Sequence, residues 1–227
     1  GTVSNVLNNP AKVATATVTK VQAAIDDLGF VRNDAARQLR AGKSRSIGLV
    51  VLDVRNPFFT DLARGAEDAA TEHNMSVLLA NSDEIIDREL SMLGLFEEQR
   101  VHGVLVTPVS DDLEPFKKAR DRGTPIVLVD RKSKDKNFSS VSVDDVAGGY
   151  LAVKHLIETG RRKIAFVGGP ASIQQVNDRL KGAEKCVAEN PGVSIEFIPC
   201  KSLSVLSGRD VGEEILKRAK SKIRGAP

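Results

Sequence analysis

No apolar run in this 227-residue sequence approaches the ~18–20 residues that cross a bilayer, so no membrane-spanning segment and no membrane partner are expected. The opening residues Gly1-Thr2-Val3-Ser4 lack both a basic region and an apolar core of the signal-peptide kind. The chain starts on Gly1 rather than Met, and further sequence is expected upstream. There are two cysteines, Cys186 and Cys200, too few to read as a disulfide framework. They are expected as free thiols in a reducing cytoplasm. His73, His102 and His155 are scattered, and no Cys/His cluster has metal-ligand spacing. Gly168-Gly169-Pro170 has neither GxGxxG nor a GK[ST] ending and is expected to be a turn. With no nucleophile elbow either, enzyme and cofactor readings have little to stand on; the expectation is no cofactor, no metal and no catalytic residue.

What is present is a soluble, globular composition: 41% hydrophobic and 28% charged residues. The length fits one or two domains and a small appendage. The net charge of +3 is unevenly placed. Residues 1–45 hold Lys12, Lys20, Arg32, Arg37, Arg40, Lys43 and Arg45 against Asp26, Asp27 and Asp34, a net +4. The remainder is close to neutral. A basic head on a neutral body points to a polyanionic partner for the head.

In the head, Val3, Val6 and Leu7 share one helical face, while Thr2, Ser4, Asn5 and Asn8 are short polar residues suited to phosphates and base edges. Val18, Val21, Ile25 and Leu28 form a second helical stripe, closed by Gly29 at a C′ position with Phe30 beyond it. Asn33 to Gly42 then reads as one or two helical turns, capped by Asn33 and ended by Gly42. Its apolar surface is limited to Ala35, Ala36 and Leu39, and helices under about 12–15 residues are marginal alone. Two readings are open. It is a linker helix with Leu39 packed on the neighbouring domain, or a hinge that folds on DNA and wedges Leu39 into a base step.

From Ser46 the pattern changes. Ile47–Leu52 is a continuous apolar run, as in a strand buried on both faces. Helices are expected over 58–73, 83–100 and 112–122, and strands over 75–80, 103–107 and 125–129. That alternation implies a parallel α/β sheet with helices on both faces. A charged loop (131–137), a short strand (140–143) and a helix (148–159) follow. A second run then gives strand 164–167, helix 173–189, strand 194–198 and helix 208–220. It stops after two strands, so more chain is expected beyond Pro227.

Taken together, Thr2–Asn8, Val18–Phe30 and Asn33–Leu39 resemble the DNA-binding head and hinge of the lactose-repressor family, and the body resembles that family's sugar-sensing core. The resemblance implies a two-lobed, periplasmic-binding-protein-like α/β core with a small all-α helix-turn-helix head. It divides the chain into a partial head (1–32), a hinge and linker (33–45), an N-terminal lobe (46–145) and a partial C-terminal lobe (146–227). Thr2, Ser4 and Asn5 match DNA-touching positions, with Asn5 standing where Arg is more usual. Thr17 matches a phosphate contact, and Ala36 and Leu39 match hinge residues that enter the minor groove. Ala14 replaces the usual cap of the third helix, so Thr15 is expected to cap it.

Asn56-Pro57-Phe58-Phe59 resembles the ribose-binding and ribose-repressor branch, in which Asn and two aromatic rings hold a sugar. Asp130 and Arg131 match sugar-contacting positions at a strand end, Arg179 an effector-binding Arg, and Leu203 a position often aromatic in ribose binders. The implied function is a cytoplasmic, homodimeric repressor that binds operator DNA under control of a small-molecule effector, a ribose-like sugar. The alternatives are a sugar receptor without DNA function and an enzyme using Asp53 and Asp130 as acid and base.

Overall fold

Strand β1 (Ser46–Val51) shows why a continuous apolar run becomes a buried strand. Its alternate residues feed two separate cores, as the period of two demands. Leu49 and Val51 join Leu52 and Phe59 on one face, and Val50 joins Val104, Val106, Leu128, Phe96 and Phe116 on the other. Gly48 leaves room for the Phe96 ring, whose nearest atom would lie 2.4 Å from an added Cβ. The computed structural model describes residues 1–30, 44–133, 135–171 and 173–224. Its contacts divide the chain into two units, Gly1–Gly42 and Lys43–Pro227.

In the larger unit β1 lies between β2 (Ser76–Asn81) and β3 (Gly103–Val106), followed by β4 (Ile126–Val129) and β5 (Ser139–Val141), in the order β2-β1-β3-β4-β5. Every pairing is parallel. Within the larger unit, helices α3 (Pro57–Glu72), α4 (Ile86–Glu98) and α5 (Glu114–Asp121) make the crossovers. A second, two-stranded parallel sheet pairs β6 (Lys163–Gly168) with β7 (Ser194–Pro199). Around it run α6 (Asp145–Glu158), α7 (Gln174–Ala188) and α8 (Val205–Arg224). Val153, Ile164, Ala183 and Cys186 form its core, and both cysteines are free.

Two helices begin earlier than their apolar patterns suggest, because a polar side chain caps each. The Ala147 amide donates to Asp144 Oδ1 at 2.9 Å, starting α6 at Asp145. The Ser207 amide donates to Ser204 Oγ at 3.2 Å, starting α8 at Val205.

The head contains α1 (Thr2–Asn8), a 3-10 turn (Pro10–Lys12) and α2 (Thr15–Asp27). Thr15 does not cap α2: Ala14 is the N-cap, with no side-chain bond, and Thr15 is the first helical residue. Gly29, at φ 58°, closes α2 as expected, its amide donating to Asp26 and that of Phe30 to Ile25. Leu28 leaves the apolar stripe: as the C-cap it is 79% exposed, whereas Val18, Val21 and Ile25 are half-buried. The hinge segment, with Ala36 and Leu39, lies outside the described residues. No helix among the described residues is long and apolar enough to cross a membrane.

Candidate functional site

Parallel strands leave their carboxyl ends along one edge of a sheet, where ligands of open α/β folds collect. After β1 come Asp53 and Asn56. Asp53 is buried, and its Oδ1 receives both the amide and the Nε of Arg55 at 2.9 Å, which holds its carboxyl below the usual range. Asn56 is the N-cap of α3, accepting from the Phe58 amide at 3.1 Å, with Pro57 pre-set for the first turn. Capping occupies the side-chain oxygen of Asn56 and leaves its amide nitrogen for other work. Phe58 is 39% exposed and meets Phe59 edge-on at 5.1 Å. Phe59 is buried in the core beside Leu49 and Val51.

Asp130, after β4, is 6% exposed and sits at φ 55°, a conformation an aspartate keeps only when its surroundings hold it. Gln175 Nε2 donates to Asp130 Oδ2 at 3.0 Å and also to the Asp130 main-chain carbonyl. Asp130 Oδ1 has no partner. Burial first, then the charge of Asp145, pushes this carboxyl up to about 6, against the pull of Gln175 and Arg179. Thr107 Oγ1, after β3, is likewise buried and partnerless. Among the described residues these are the two buried side-chain polar atoms left unsatisfied, and they lie past the ends of adjacent strands. Such atoms are rare and costly; Asp130 lines a cavity, whereas Thr107 is fully buried.

The opposite wall is a helix pair. A Cβ on Gly149 would lie 1.9 Å from the Arg179 carbonyl oxygen, and one on Gly182 the same distance from that of Val146. Backbones of α6 and α7 therefore touch, and Arg179 is delivered to Asp145, Nε to Oδ1 at 2.7 Å. Leu203 packs over Gly169 and donates its amide to Glu84 Oε1 at 3.2 Å. Burial raises the Glu84 pKa. This contact and the Gln175–Asp130 pair both run from one lobe to the other.

Asn56, Arg179 and Leu203 line a single cavity of ≈ 390 Å³ together with Asp53, Arg55 and Gly169. Asp130 and Arg131 instead line a cavity of ≈ 810 Å³ with Asp145 and Gln175. The Arg179–Asp145 ion pair links the two. Neither Phe58 nor Phe59 lines these cavities. Arg131 turns toward the loop after β3, donating Nη1 to the Ser110 carbonyl at 2.8 Å and Nη2 to Asp111. The single cluster expected from sequence is thus divided, because Gln175 engages Asp130 and the Arg131 guanidinium is committed elsewhere. Thr107, Asp145, Gln175 and Glu84 were not anticipated. Of these, only Thr107, directly after a recognisable strand, carried a local signal.

In the head, Thr2 and Asn5 are exposed on α1, while Ser4 on α1 and Thr17 on α2 are half-buried.

Known proteins resemble both units. Residues 1–33 match the description "Bacterial regulatory proteins, lacI family", and residues 44–219 match "Periplasmic binding proteins and sugar binding domain of LacI family". The ribose operon repressor of Bacillus subtilis is 33% identical over 214 residues, 94% of this chain and 64% of that protein. The HTH-type transcriptional repressor PurR of Photobacterium profundum is 33% identical over 190 residues, 83% of this chain and 57% of that one. A periplasmic binding protein/LacI transcriptional regulator from Alkaliphilus metalliredigens, complexed with D-xylulofuranose, superposes with a TM-score of 0.63 at 27% identity, over 72% of this chain and 59% of the other. The chain spans roughly three fifths of the length of these curated relatives.

Proposed function

This chain belongs to the LacI family of bacterial regulatory proteins, and from that premise we propose that it is a DNA-binding transcriptional repressor governed by a small sugar, D-ribose or a related pentose. The observation that carries the sugar reading is the pair of unsatisfied buried oxygens, Asp130 Oδ1 and Thr107 Oγ1, past the ends of neighbouring strands. A carboxylate accepts a hydrogen bond from a sugar hydroxyl, and a threonine hydroxyl both donates and accepts. Asn56 offers amide donors and Arg179 a guanidinium, while Leu203 and the exposed Phe58 supply apolar surface near the same strand ends and lobe junction. Asp130 lines the ≈ 810 Å³ cavity and Asn56, Arg179 and Leu203 the ≈ 390 Å³ one, and both volumes lie within the range of small-molecule pockets.

In this reading Thr2, Ser4, Asn5 and Thr17 meet operator DNA in and beside the major groove, and the hinge residues Ala36 and Leu39 enter the minor groove. A homodimer presents two heads to a pseudo-palindromic operator. Sugar held between the lobes biases their closure, and a coupling of about 1–3 kcal/mol between sites changes DNA affinity several- to a hundredfold.

A thermal-shift screen against pentoses, hexoses, nucleosides and purines, paired with duplex-DNA binding at rising salt, tests this. The expected result is a pentose-specific rise in melting temperature together with DNA binding that falls steeply with salt. Sugar binding without DNA binding favours the receptor, and a purine response in place of a pentose response rejects ribose.

A further inference from the structure

Glu89 lies in the first turn of α4, away from both cavities described above, yet it is 3% exposed. Burying a carboxylate is costly unless it is bonded and balanced. Its Oε2 accepts the Val109 amide at 2.8 Å. Burial drives its pKa up to about 7, with the Val109 bond and the charge of Arg131 pulling the other way. In the same loop the carbonyl of the next residue, Ser110, accepts from Arg131, 8% exposed, at 2.8 Å. Its second nitrogen reaches Asp111, whose carboxylate is 82% exposed and so contributes little. Two buried side chains, a carboxyl and a guanidinium, therefore grip consecutive residues of one loop, one by its N–H and the other by its C=O.

That loop begins at Thr107, and Arg131 directly follows Asp130. Both unsatisfied oxygens of the candidate site are thus within two residues of the clamp. Asp130 also holds a left-handed backbone, which its neighbours must stabilise. From this geometry we infer that Glu89 and Arg131 form a buried brace that fixes the loop 107–111 against the end of β4 and so aims Asp130 and Thr107. Arg131, which also lines the cavity beside Asp130, then positions that loop. The brace rests on the effector reading only for its consequence in sugar binding; its mechanical part stands on the contacts themselves.

The test compares Glu89→Gln, Glu89→Ala, Arg131→Met and the double variant Glu89→Ala/Arg131→Met in the full chain. Amide hydrogen exchange is followed over residues 107–112 and 130–132, alongside titration with D-ribose. Gln keeps an acceptor for the Val109 amide, so Glu89→Gln is expected to exchange and bind within about threefold of the unaltered chain. Glu89→Ala and Arg131→Met are each expected to speed exchange in both segments at least tenfold and to weaken D-ribose at least tenfold. Because both act through one brace, the double variant should be no more than about twofold worse than the worse single one. Losses that multiply in the double variant, or unchanged exchange over 130–132 in Glu89→Ala, overturn the brace. If Glu89→Ala does not fold, Arg131→Met decides by the same exchange measurement. Failure of the unaltered chain to bind D-ribose rejects ribose as the effector and leaves the brace untouched, since the exchange comparison judges the brace without ligand.

Discussion

The two walls of the candidate site are built by opposite means. The strand-end wall is made of side chains under constraint: a left-handed Asp130, a partnerless Thr107 hydroxyl, and a loop held by a buried carboxyl and a buried guanidinium. The helix wall is made of backbone contact, with Gly149 and Gly182 letting α6 and α7 touch so that Arg179 meets Asp145. The first wall leaves two buried polar atoms unsatisfied, at a cost in stability. The second gains stability from close packing and carries its polar pair as a consequence. Substitutions should therefore affect the two walls differently.

The largest effect is expected on the helix wall. Gly182→Val places side-chain carbon against the Val146 backbone, which has no flexible end to move aside. The variant should lose about 3 kcal/mol or more, read as a drop in melting temperature or denaturant midpoint.

On the strand-end wall the corresponding large loss is in binding, not folding. Asp130→Ala should cost on the order of 1.5–3 kcal/mol of sugar affinity, roughly ten- to a hundredfold by calorimetry. Stability should hold or rise, because a buried carboxylate is removed.

The pH dependence sharpens the contrast further. Asp130 and Glu89 have folded-state pKa values of about 6 and about 7, above their ordinary 3.8 and 4.5. The folded chain keeps these protons when the unfolded chain has released them, so stability falls as pH rises through these windows. Melting temperature should decline between pH 4 and 7, about the span of the two shifts. Glu89→Gln should flatten the upper part and Asp130→Asn the lower, whereas Arg179→Gln should leave the slope over Glu89's window unchanged.

The smallest effect is the most diagnostic in sign. Thr107→Val removes an unsatisfied buried hydroxyl while nearly keeping its shape. It should leave stability equal or raise it by about 1 kcal/mol while weakening sugar binding.

Legibility from sequence followed the same division. The strand wall was readable because local chemistry marks it. Ile47–Leu52 is apolar enough to be a doubly buried strand, Asn56-Pro57 is a helix start, and Asp130-Arg131 closes the strand Ile126–Val129. Even there, local pattern could not say that Phe59 turns into the core or that Arg131 turns to Ser110, since both depend on what packs from elsewhere. The helix wall was readable in its elements but not in its contacts. Gln175 meets Asp130 across 45 residues and Arg179 meets Asp145 across 34, and no spacing rule links them. α8 starts at Val205, three residues before the expected Gly208, because Ser204 caps it.

The account rests most heavily on Asp130 as the group that a sugar satisfies. Thermal shift of the unaltered chain and of Asp130→Ala at pH 7.5, each with millimolar D-ribose, tests this directly. A rise of several degrees is expected in the first and none in the second. An equal rise in both, or no rise in either with D-ribose or any other pentose, would contradict it.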